Sequence, residues 1–492
     1  MRNTSQNRIP LAERRVKSQG SKVRGRVHLI GIGGIGVSYL ARWFLAQNWA
    51  VSGSDLISSE ITRELSKEGV NIKIGHRSSH LPRNADLVIY SQAIQPENPE
   101  RRAAERLGLR TISFPQAVGW LTEEYRTVAV SGAHGKSTTT ALAALITVVA
   151  RLDPTVFVGT KLKEFGGSNF RIGKSDLLIL EADEYGRAFL NYTPTYAVVT
   201  NIDREHLDVY RSLADIQRTF CNFLARVKPG GVLVLNRDNP PLWQKRKAIE
   251  RKAKSKKVRV VWYGLQSAAA RKVRKVLKIP GEHNVSNATA AFELARALKI
   301  PERTALRAIG RFAGTWRRME YKGELRIENR EFSKEQLNTS SSSILTSKFS
   351  LLVYDDYAHH PTEIRATLAA FRQKYPHSPI VCVFQPHQAR RLRLLFSEFA
   401  TAFGDADAVV FIPMYAVAGR DTADPRFTSQ TLAHAVQRKY PAKKVIYLAD
   451  PKNLKITVGS LLLPTPYSPL TTPILVLMGA GNIVDLTDRL LS

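Results

Sequence analysis

Short apolar runs, most of them ending in polar or glycine-rich residues and followed by a helix-length segment, recur along almost the whole chain. They are VHLI (27–30), DLVIYSQAI (86–94), RTVAV (126–130), DLLILEADE (176–184), YAVVTNID (196–203) and GVLVLN (231–236). Past residue 314 come LLVYDD (351–356), IVCVFQPH (380–387), AVVFIPM (408–414), VIYLAD (445–450) and ILVLMGAGN (474–482). Runs of this type, without polar alternation, suit strands buried on both faces. Strands alternating with helices predict parallel sheets, and sites then lie at the carboxyl ends of the strands. The fold class is therefore α/β. The runs group into three units, 27–122, 123–313 and 314–492, after a basic tail, 1–26, expected to be disordered. The polar, serine-rich stretch 333–349 reads as a mobile hairpin loop between two strands of the third unit.

The polar ends of these runs carry the chemistry. GIGGIG (31–36) fits the GxGxxG pattern after a strand, with Asp55 at the end of the next. That pattern serves NAD, FAD and other diphosphates alike, because glycine lets backbone N–H groups approach phosphate. On this motif alone a dinucleotide dehydrogenase is the leading reading, and a plain tight turn is the bland one. SGAHGKSTTT (131–140) lies between the run RTVAV and a helix-like segment. It has the Gly-Lys-Ser of a phosphate loop but not the usual first glycine, since Val130 stands there. A helix N-terminus in that context meets phosphate. Lys136 would be the point charge on the β- and γ-phosphates, and the Ser137 hydroxyl a magnesium ligand.

A metal-bound triphosphate needs more acid, which ILEADE supplies as Glu181, Asp183 and Glu184. A solvated acidic turn is the alternative. His206 in NIDREHLDVY follows a strand expected to neighbour the acidic one, which makes it either a metal ligand or a structural histidine. DDYAHHPTE (355–363) gathers two histidines, a tyrosine and acids at a strand end. VFQPHQARRLR adds His387 and three arginines, whose forks bind carboxylates or phosphates bidentately. A charged helix start would account for the arginines individually.

Charge bounds the partners. The 492-residue chain has a formal net charge of +31. Residues 1–26 hold eight Lys/Arg against one acid, and residues 245–278 hold fourteen against one. Two local runs read as tails or solvated faces rather than a groove built into the fold, so no specific nucleic-acid partner is expected. Cys221 and Cys382 stand far apart in sequence, which fits a reducing cytosol. The N-terminus has no apolar core for a signal peptide, and no stretch reaches the length of a membrane span.

The order G-x-G-G-x-G, G-x-H-G-K-[ST]-T-T, EADE, G-x-H-N-x-x-N-A, RRxE, DDYxHHPTE, FQPH resembles the Mur ligases over about residues 27–492, and among them the alanine-adding branch. The shorter phosphate loop is that family's own form. The resemblance implies a Rossmann-like N-terminal domain, a central P-loop ATPase-type domain and a Rossmann-like C-terminal domain. It implies ATP and Mg2+, with UDP-N-acetylmuramate and L-alanine as substrates joined through an acyl phosphate. Gly31, Gly33, Gly34 and Gly36, with Asp55, would hold the UDP-sugar. Gly132, Ala133, His134, Gly135, Lys136, Ser137 and Thr138 would cradle the ATP phosphates. Ser137 and Glu181 would bind a first magnesium and His206 a second. His283, Asn284 and Asn287 would hold the nucleotide, with Arg318 and Asp356 from the closing domain. Lys136, Glu181, His206 and Arg318 would be catalytic. Tyr357, His359, His387 and Arg391 would line the amino-acid side.

The chain departs from the family pattern at several points. Glu205 replaces an aspartate before His206, Gly186 stands where an acid is common, and Gln388 where an arginine often is. A short lysine-rich segment replaces the usual β-hairpins between Tyr263 and Gly281. Sister ligases carry a carbamylated lysine after the histidine, whereas residues 211–226 contain none, which favours the alanine-adding branch. A nicotinamide oxidoreductase would leave SGAHGKSTTT unused. A basic NTPase acting on nucleic acid would leave DDYAHHPTE unused. A recycling relative that attaches a whole tripeptide differs in the acceptor pocket.

Overall fold

The computed structural model describes residues 23–328, 348–415, 424–462 and 471–492. Their strands form three sheets. The first has β1 (Arg26–Ile30), β2 (Ala50–Asp55), β3 (Asn71–Ile74), β4 (Leu87–Tyr90) and β5 (Thr111–Ser113), in the order β3-β2-β1-β4-β5. All of its pairings are parallel. The second has β6 (Arg126–Ser131), β7 (Thr155–Leu162), β8 (Ser168–Arg171), β9 (Leu177–Glu181), β10 (Tyr196–Val199), β11 (Val232–Asn236) and β12 (Arg259–Tyr263). Its order is β12-β11-β10-β6-β9-β7-β8, antiparallel only between β7 and β8. The third has β13 (Glu320–Glu328), β14 (Lys348–Asp356), β15 (Ile380–Phe384), β16 (Ala408–Phe411), β17 (Lys444–Tyr447) and β18 (Ile474–Met478). Its order is β13-β14-β18-β15-β16-β17, antiparallel only at β13. The α/β class with mostly parallel sheets is as the sequence predicts. The runs VLVLN, IVCVF and ILVLM are buried at every residue, because helices cover both faces of a parallel sheet.

The described residues fall into two compact units. One takes the chain up to Leu277 together with Ser286–Phe312, and the other takes Lys278–Val285 and the chain from Ala313 onward. The first two sheets share the first unit and one hydrophobic core. The helix Ile35–Ala46, which leaves the first glycine turn, packs against β7 and β8 of the second sheet. Tyr39 stacks on Phe157 at 4.4 Å between centroids, a pair worth about 0.5–1.5 kcal/mol beyond its buried area. Arg42, nearly buried, forks onto both Glu68 oxygens at 2.8–3.0 Å and donates to Asn169 Oδ1 at 2.9 Å. Asn169 returns a bond to Ile35 O at 2.8 Å, so these buried polar groups are satisfied on both sides of the junction.

The structure departs from the sequence reading in several details. The ladder starts earlier than the tail boundary at 26: Arg24 N donates to Asn48 O, and Ala50 N to Gly25 O. The expected disorder of residues 1–22 lies outside the described residues. So does the loop at 333–347, whereas Lys348 and Phe349 already belong to β14. The edges of the second sheet, β12 on one side and the β7–β8 pair on the other, are not among the predicted runs. After β12 the lysine-rich segment forms the helix Ala268–Arg274, capped by Ser267. Finally, β10 does not neighbour the acidic strand β9, because β6 lies between them.

Candidate active site

The centre of the second sheet places three strand ends side by side. β6 runs into the loop 132–135, and the helix Lys136–Val149 starts directly after it. Gly132 has φ 138°, and a Cβ there would stand 2.0 Å from Thr200 Oγ1 at the end of β10. Gly135 has φ 80°, and its Cβ would stand 2.3 Å from Asn287 Oδ1. Neither position accepts a side chain. Beyond β10, Asn201 Oδ1 accepts from His134 N at 2.8 Å, and Asn201 Nδ2 and Thr200 Oγ1 donate to His134 O at 2.9 and 2.6 Å. His134 Nε2 lies 3.0 Å from Asp203 Oδ2. The loop can be short because its neighbour, rather than extra residues, holds it.

Lys136 Nζ donates to Gly132 O at 2.8 Å and to both oxygens of Glu184 at 3.0 Å, with Asp183 Oδ1 at 4.0 Å. Burial opposes its charge, but Glu184, Asp183 and Glu181 outweigh this and hold the ammonium above its ordinary pKa. Burial likewise pushes Glu184 up, yet Lys136 and His206 bring it down to about 2. His206, at φ 54°, puts Nε2 3.2 Å from Glu184 Oε1. Burial lowers its pKa, and the bond to Glu184 more than restores it. Glu181, at the end of β9, accepts from Ser137 Oγ at 3.1 Å and from Gly159 N at 2.9 Å, and burial raises its pKa. Thr138 is buried in the first helical turn.

Two oxygen-rich groups result. One is the hydroxyl of Ser137 with the carboxylate of Glu181. In the other, Asp183, Glu184 and His206 bring ligand atoms within 4.8 Å of one another. Carboxylate and hydroxyl oxygens are the donors a hard cation such as Mg2+ takes, so the residues fit the group that the sequence implies. His206 therefore stands with Glu184 and Asp183 across the loop rather than with Glu181 and Ser137.

The first glycine turn follows β1. Gly31 N donates to Ser54 O at 2.8 Å, Gly33 N to Asp55 Oδ2 at 2.8 Å, and Gly34 caps the helix at Ile35. Gly36 faces Phe114, which a Cβ would approach to 3.0 Å. Asp55 thus holds one of the loop's own N–H groups. Beneath Ser54 lies a buried polar set. Glu100 Oε1 accepts from Ser54 Oγ at 2.8 Å and lies 2.9 Å from His76 Nδ1, and Glu100 Oε2 lies 2.8 Å from His28 Nε2. Burial pushes Glu100 up, but these partners bring it to about 2.

In the second unit, Arg318 Nη1 lies 3.5 Å from Glu363 Oε1, and its guanidinium stands 5.3 Å from the Tyr357 ring. His359 N donates to Glu363 Oε2 at 3.1 Å. His359 meets the Tyr357 and His387 rings edge-on at 5.3 and 5.9 Å. Arg391 Nη1 donates to His387 O at 3.2 Å, and His387 stacks on Tyr415 at 5.6 Å. The four residues expected on the amino-acid side thus form one aromatic and cationic cluster. Gln388 sits at φ 68° where the chain turns into the helix Ala389–Leu394. His283 is half-buried near Arg318, and desolvation first, then that charge, lowers its pKa to about 4, so it is neutral at pH 7. Asn284 Nδ2 donates to Pro280 O at 2.7 Å.

Asp356 is buried, and its oxygens accept from Met319 N and Ala358 N at 2.8 Å each. Thr367 Oγ1 donates at 3.3 Å to Oδ1, the oxygen that Ala358 N meets, so Oδ2 keeps a lone pair beyond these bonds. Sequence reasoning did not single out Thr200, Asn201, Arg317 or Glu363. Arg317, buried at φ 54°, donates to Gly479 O at 2.6 Å and lies over Tyr357 at 5.1 Å. The doubled arginine and the acid four residues after His359 were the available signals.

Comparison with known proteins gives three family matches in chain order. They are Mur ligase family, catalytic domain, over residues 26–126; Mur ligase middle domain, over 130–295; and Mur ligase, glutamate ligase domain, over 344–458. The chain is 35% identical to a UDP-N-acetylmuramate–L-alanine ligase of Salinibacter ruber, over 96% of this chain and 95% of the relative. It is 36% identical to one of Sorangium cellulosum, over 94% and 95%. A solved UDP-N-acetylmuramate–alanine ligase from Thermotoga maritima shares the fold with a TM-score of 0.71 at 24% identity, covering 95% of this chain and 98% of that one. A murein peptide ligase from Psychrobacter arcticus shares it at 0.62 and 22% identity, with the same coverage. No helix among the described residues is long and apolar enough to cross a membrane.

Proposed function

The chain belongs to the Mur ligase family, and on that premise we propose that it joins L-alanine to the lactoyl carboxylate of UDP-N-acetylmuramate, with ATP cleaved to ADP and phosphate, as the first amino-acid addition in peptidoglycan precursor synthesis. The observation that carries the chemistry is the Lys136 ammonium held among Glu184, Asp183 and Glu181 at adjacent strand ends of a glycine loop. The lactoyl carboxylate attacks the γ-phosphorus of ATP, ADP leaves and an acyl phosphate forms. The amine of alanine then attacks the acyl carbon, the amide bond forms as nitrogen gives up a proton, and phosphate leaves with the C–O electron pair and takes that proton up. Phosphoryl transfer asks the protein for positioning and charge neutralisation rather than covalent chemistry.

Lys136 exchanges its bond to Glu184 for the transferred phosphate, and the loop N–H groups, with the helix N-terminus behind them, hold the neighbouring oxygens. Ser137 with Glu181, and His206 with Glu184 and Asp183, would hold Mg2+, which supplies further neutralisation of phosphate charge. Gly31 to Gly36 take the diphosphate of the UDP-sugar. In the second unit, Arg318 and the neutral His283 are assigned to the nucleotide, and Tyr357, His359, His387 and Arg391 to the amino acid. Asp356, which also holds the turn at Met319, is assigned with Arg318 and His283 to the nucleotide. The corresponding domain boundaries are 27–122, 123–313 and 314–492, and the place of action is the cytoplasm.

A free amino acid carries its carboxylate close to the reacting amine, so it needs a cation there. The His387–Arg391 pair supplies one, which favours alanine over a tripeptide. Phosphate release with UDP-N-acetylmuramate and each amino acid in turn tests this. L-alanine is expected to be preferred, with glycine and L-serine poorer because an apolar pocket discriminates a methyl by only about 1–3 kcal/mol. Arg391→Ala should raise the KM for alanine far more than that for ATP. Faster ligation of the peptidoglycan tripeptide than of L-alanine at equal concentration would overturn the assignment.

A further inference from the structure

A cavity of about 220 Å³ opens in the first unit between the helix Leu213–Leu224 and the helix Arg246–Ser255. Leu224, Leu233, Ile249 and Val258 line its interior, with Cys221 among them and Lys252 and Lys256 also on its wall. Protein interiors leave few voids larger than a water molecule, and an apolar wall offers bound water few partners. On the second helix the exposed Ala248 stands at the mouth, and the buried Ile249 and Ala253 lie further in.

Lysines differ in what they do here. Lys256 Nζ is committed to Ala225 O at 2.9 Å and Val227 O at 2.5 Å, which end the helix Leu213–Leu224. Lys252 is exposed, and its ammonium has no hydrogen-bond or ion-pair partner among the described residues. The surrounding segment 245–278 has fourteen cations and a single acid, Glu250, which accepts from Trp262 Nε1 at 2.9 Å. An apolar interior under a cationic mouth specifies a ligand with an apolar body and an anionic head. The same charge also suits a polyanion such as nucleic acid, but that would lie across the surface and leave the cavity empty.

We propose that this cavity binds a small amphiphilic anion, whose short acyl chain or single ring enters between Leu224 and Ile249 and whose carboxylate or phosphate head pairs with Lys252. The site is separate from the phosphate loop and stands independently of the ligase reading.

Octanoate is a suitable probe, with octan-1-ol as its neutral counterpart. Cys221 reports occupancy from inside the site, and the fully buried Cys382 serves as the unreactive reference. Octanoate should slow N-ethylmaleimide labelling of Cys221 saturably, and calorimetry should give the same affinity. Octan-1-ol should bind at least about tenfold more weakly, and Lys252→Glu should weaken octanoate by about tenfold or more, because a charge-assisted contact is lost and reversed. Ala248→Trp, which fills the mouth, should abolish binding while ligase turnover is unchanged. Three results would each overturn the proposal: no protection and no heat with octanoate in the wild-type chain, equal binding of octan-1-ol, or unchanged octanoate affinity in Lys252→Glu. Displacement of octanoate by inorganic phosphate would assign the head to phosphate, and displacement by acetate to carboxylate. Nucleic-acid binding that leaves Cys221 labelling and octanoate affinity untouched, in a chain that fails the octanoate test, would make the segment a polyanion surface instead.

Discussion

The first unit contains the same local device twice, and the two copies have different chemistry. At 31–36 and at 132–135 a buried parallel strand runs into glycines and then into a helix. In the first, the acid Asp55 bonds to a backbone N–H of the loop. In the second, Lys136 stands among carboxylates and the loop hangs on Thr200 and Asn201. Their glycines differ in the same way. Gly34 has φ −66°, and a Cβ there would meet nothing nearer than 3.5 Å, whereas Gly132 has φ 138° and no room at all. A strand–glycine–helix turn therefore states only that phosphate can approach. What is done to the phosphate depends on side chains delivered by neighbouring strands.

The largest expected effect separates the two turns outright. Lys136→Ala should lower ligation by about 10²-fold or more, since removing a charge-stabilising group of this kind costs that much, while the affinity for UDP-N-acetylmuramate stays near normal. Isothermal titration alongside phosphate release checks it, and near-normal turnover would remove Lys136 from the mechanism. Next, Gly132→Ala should destabilise the chain by at least about 1–3 kcal/mol through backbone strain, before any clash with Thr200 is counted. Gly34→Ala should be nearly silent in stability. Equal melting temperatures for the two variants would break the distinction between a tight and a permissive turn.

The acid limb of stability sharpens the comparison further. Glu100 beneath the first turn and Glu184 beside the second are both held at about 2, below the ordinary carboxyl value. A depressed folded pKa contributes stability that is fully present above the unfolded value, about 4.3, and is lost as pH falls toward 2. Glu100→Gln and Glu184→Gln should each flatten that limb between about pH 4.5 and 2 in denaturant titrations. Only Glu184→Gln should also alter ligation near neutrality. The smallest effect belongs to neither turn: removing residues 1–22 should leave turnover nearly unchanged, and a large loss with the fold intact would contradict this.

The parts of this arrangement differ in how readable they were from sequence, for physical reasons. Strands buried on both faces announce themselves, because VLVLN and ILVLM need no partner to be recognised. β7 and β13 do not, because TVFVGTKL and EYKGELRIE mix polar and apolar residues, β13 at the sheet edge and β7 one strand in from it. Loop residues at the strand ends were legible by type, since Lys136, Ser137, Glu181 and His206 all lie at the carboxyl ends of the second sheet. Their pairing was not, because it follows from strand order. With β6 between β9 and β10, His206 meets Glu184 rather than Glu181. The hold that Thr200 and Asn201 exert on the loop is tertiary, and nothing in YAVVTN announces it. The roles assigned to these residues rest on the proposed reaction.

The junction made by Tyr39, Arg42 and Asn169 fastens the helix of the first turn to the second sheet, and so sets the separation of the two turns. On the proposed reaction, that rigid span acts as a gauge. A nucleotide sugar anchored by its diphosphate at one mark presents its carboxylate at the other only if its own length agrees. Selection among sugars would then be made by reach, with no side chain needed to read the sugar itself, and loosening the junction would blur the measurement before it weakened the grip.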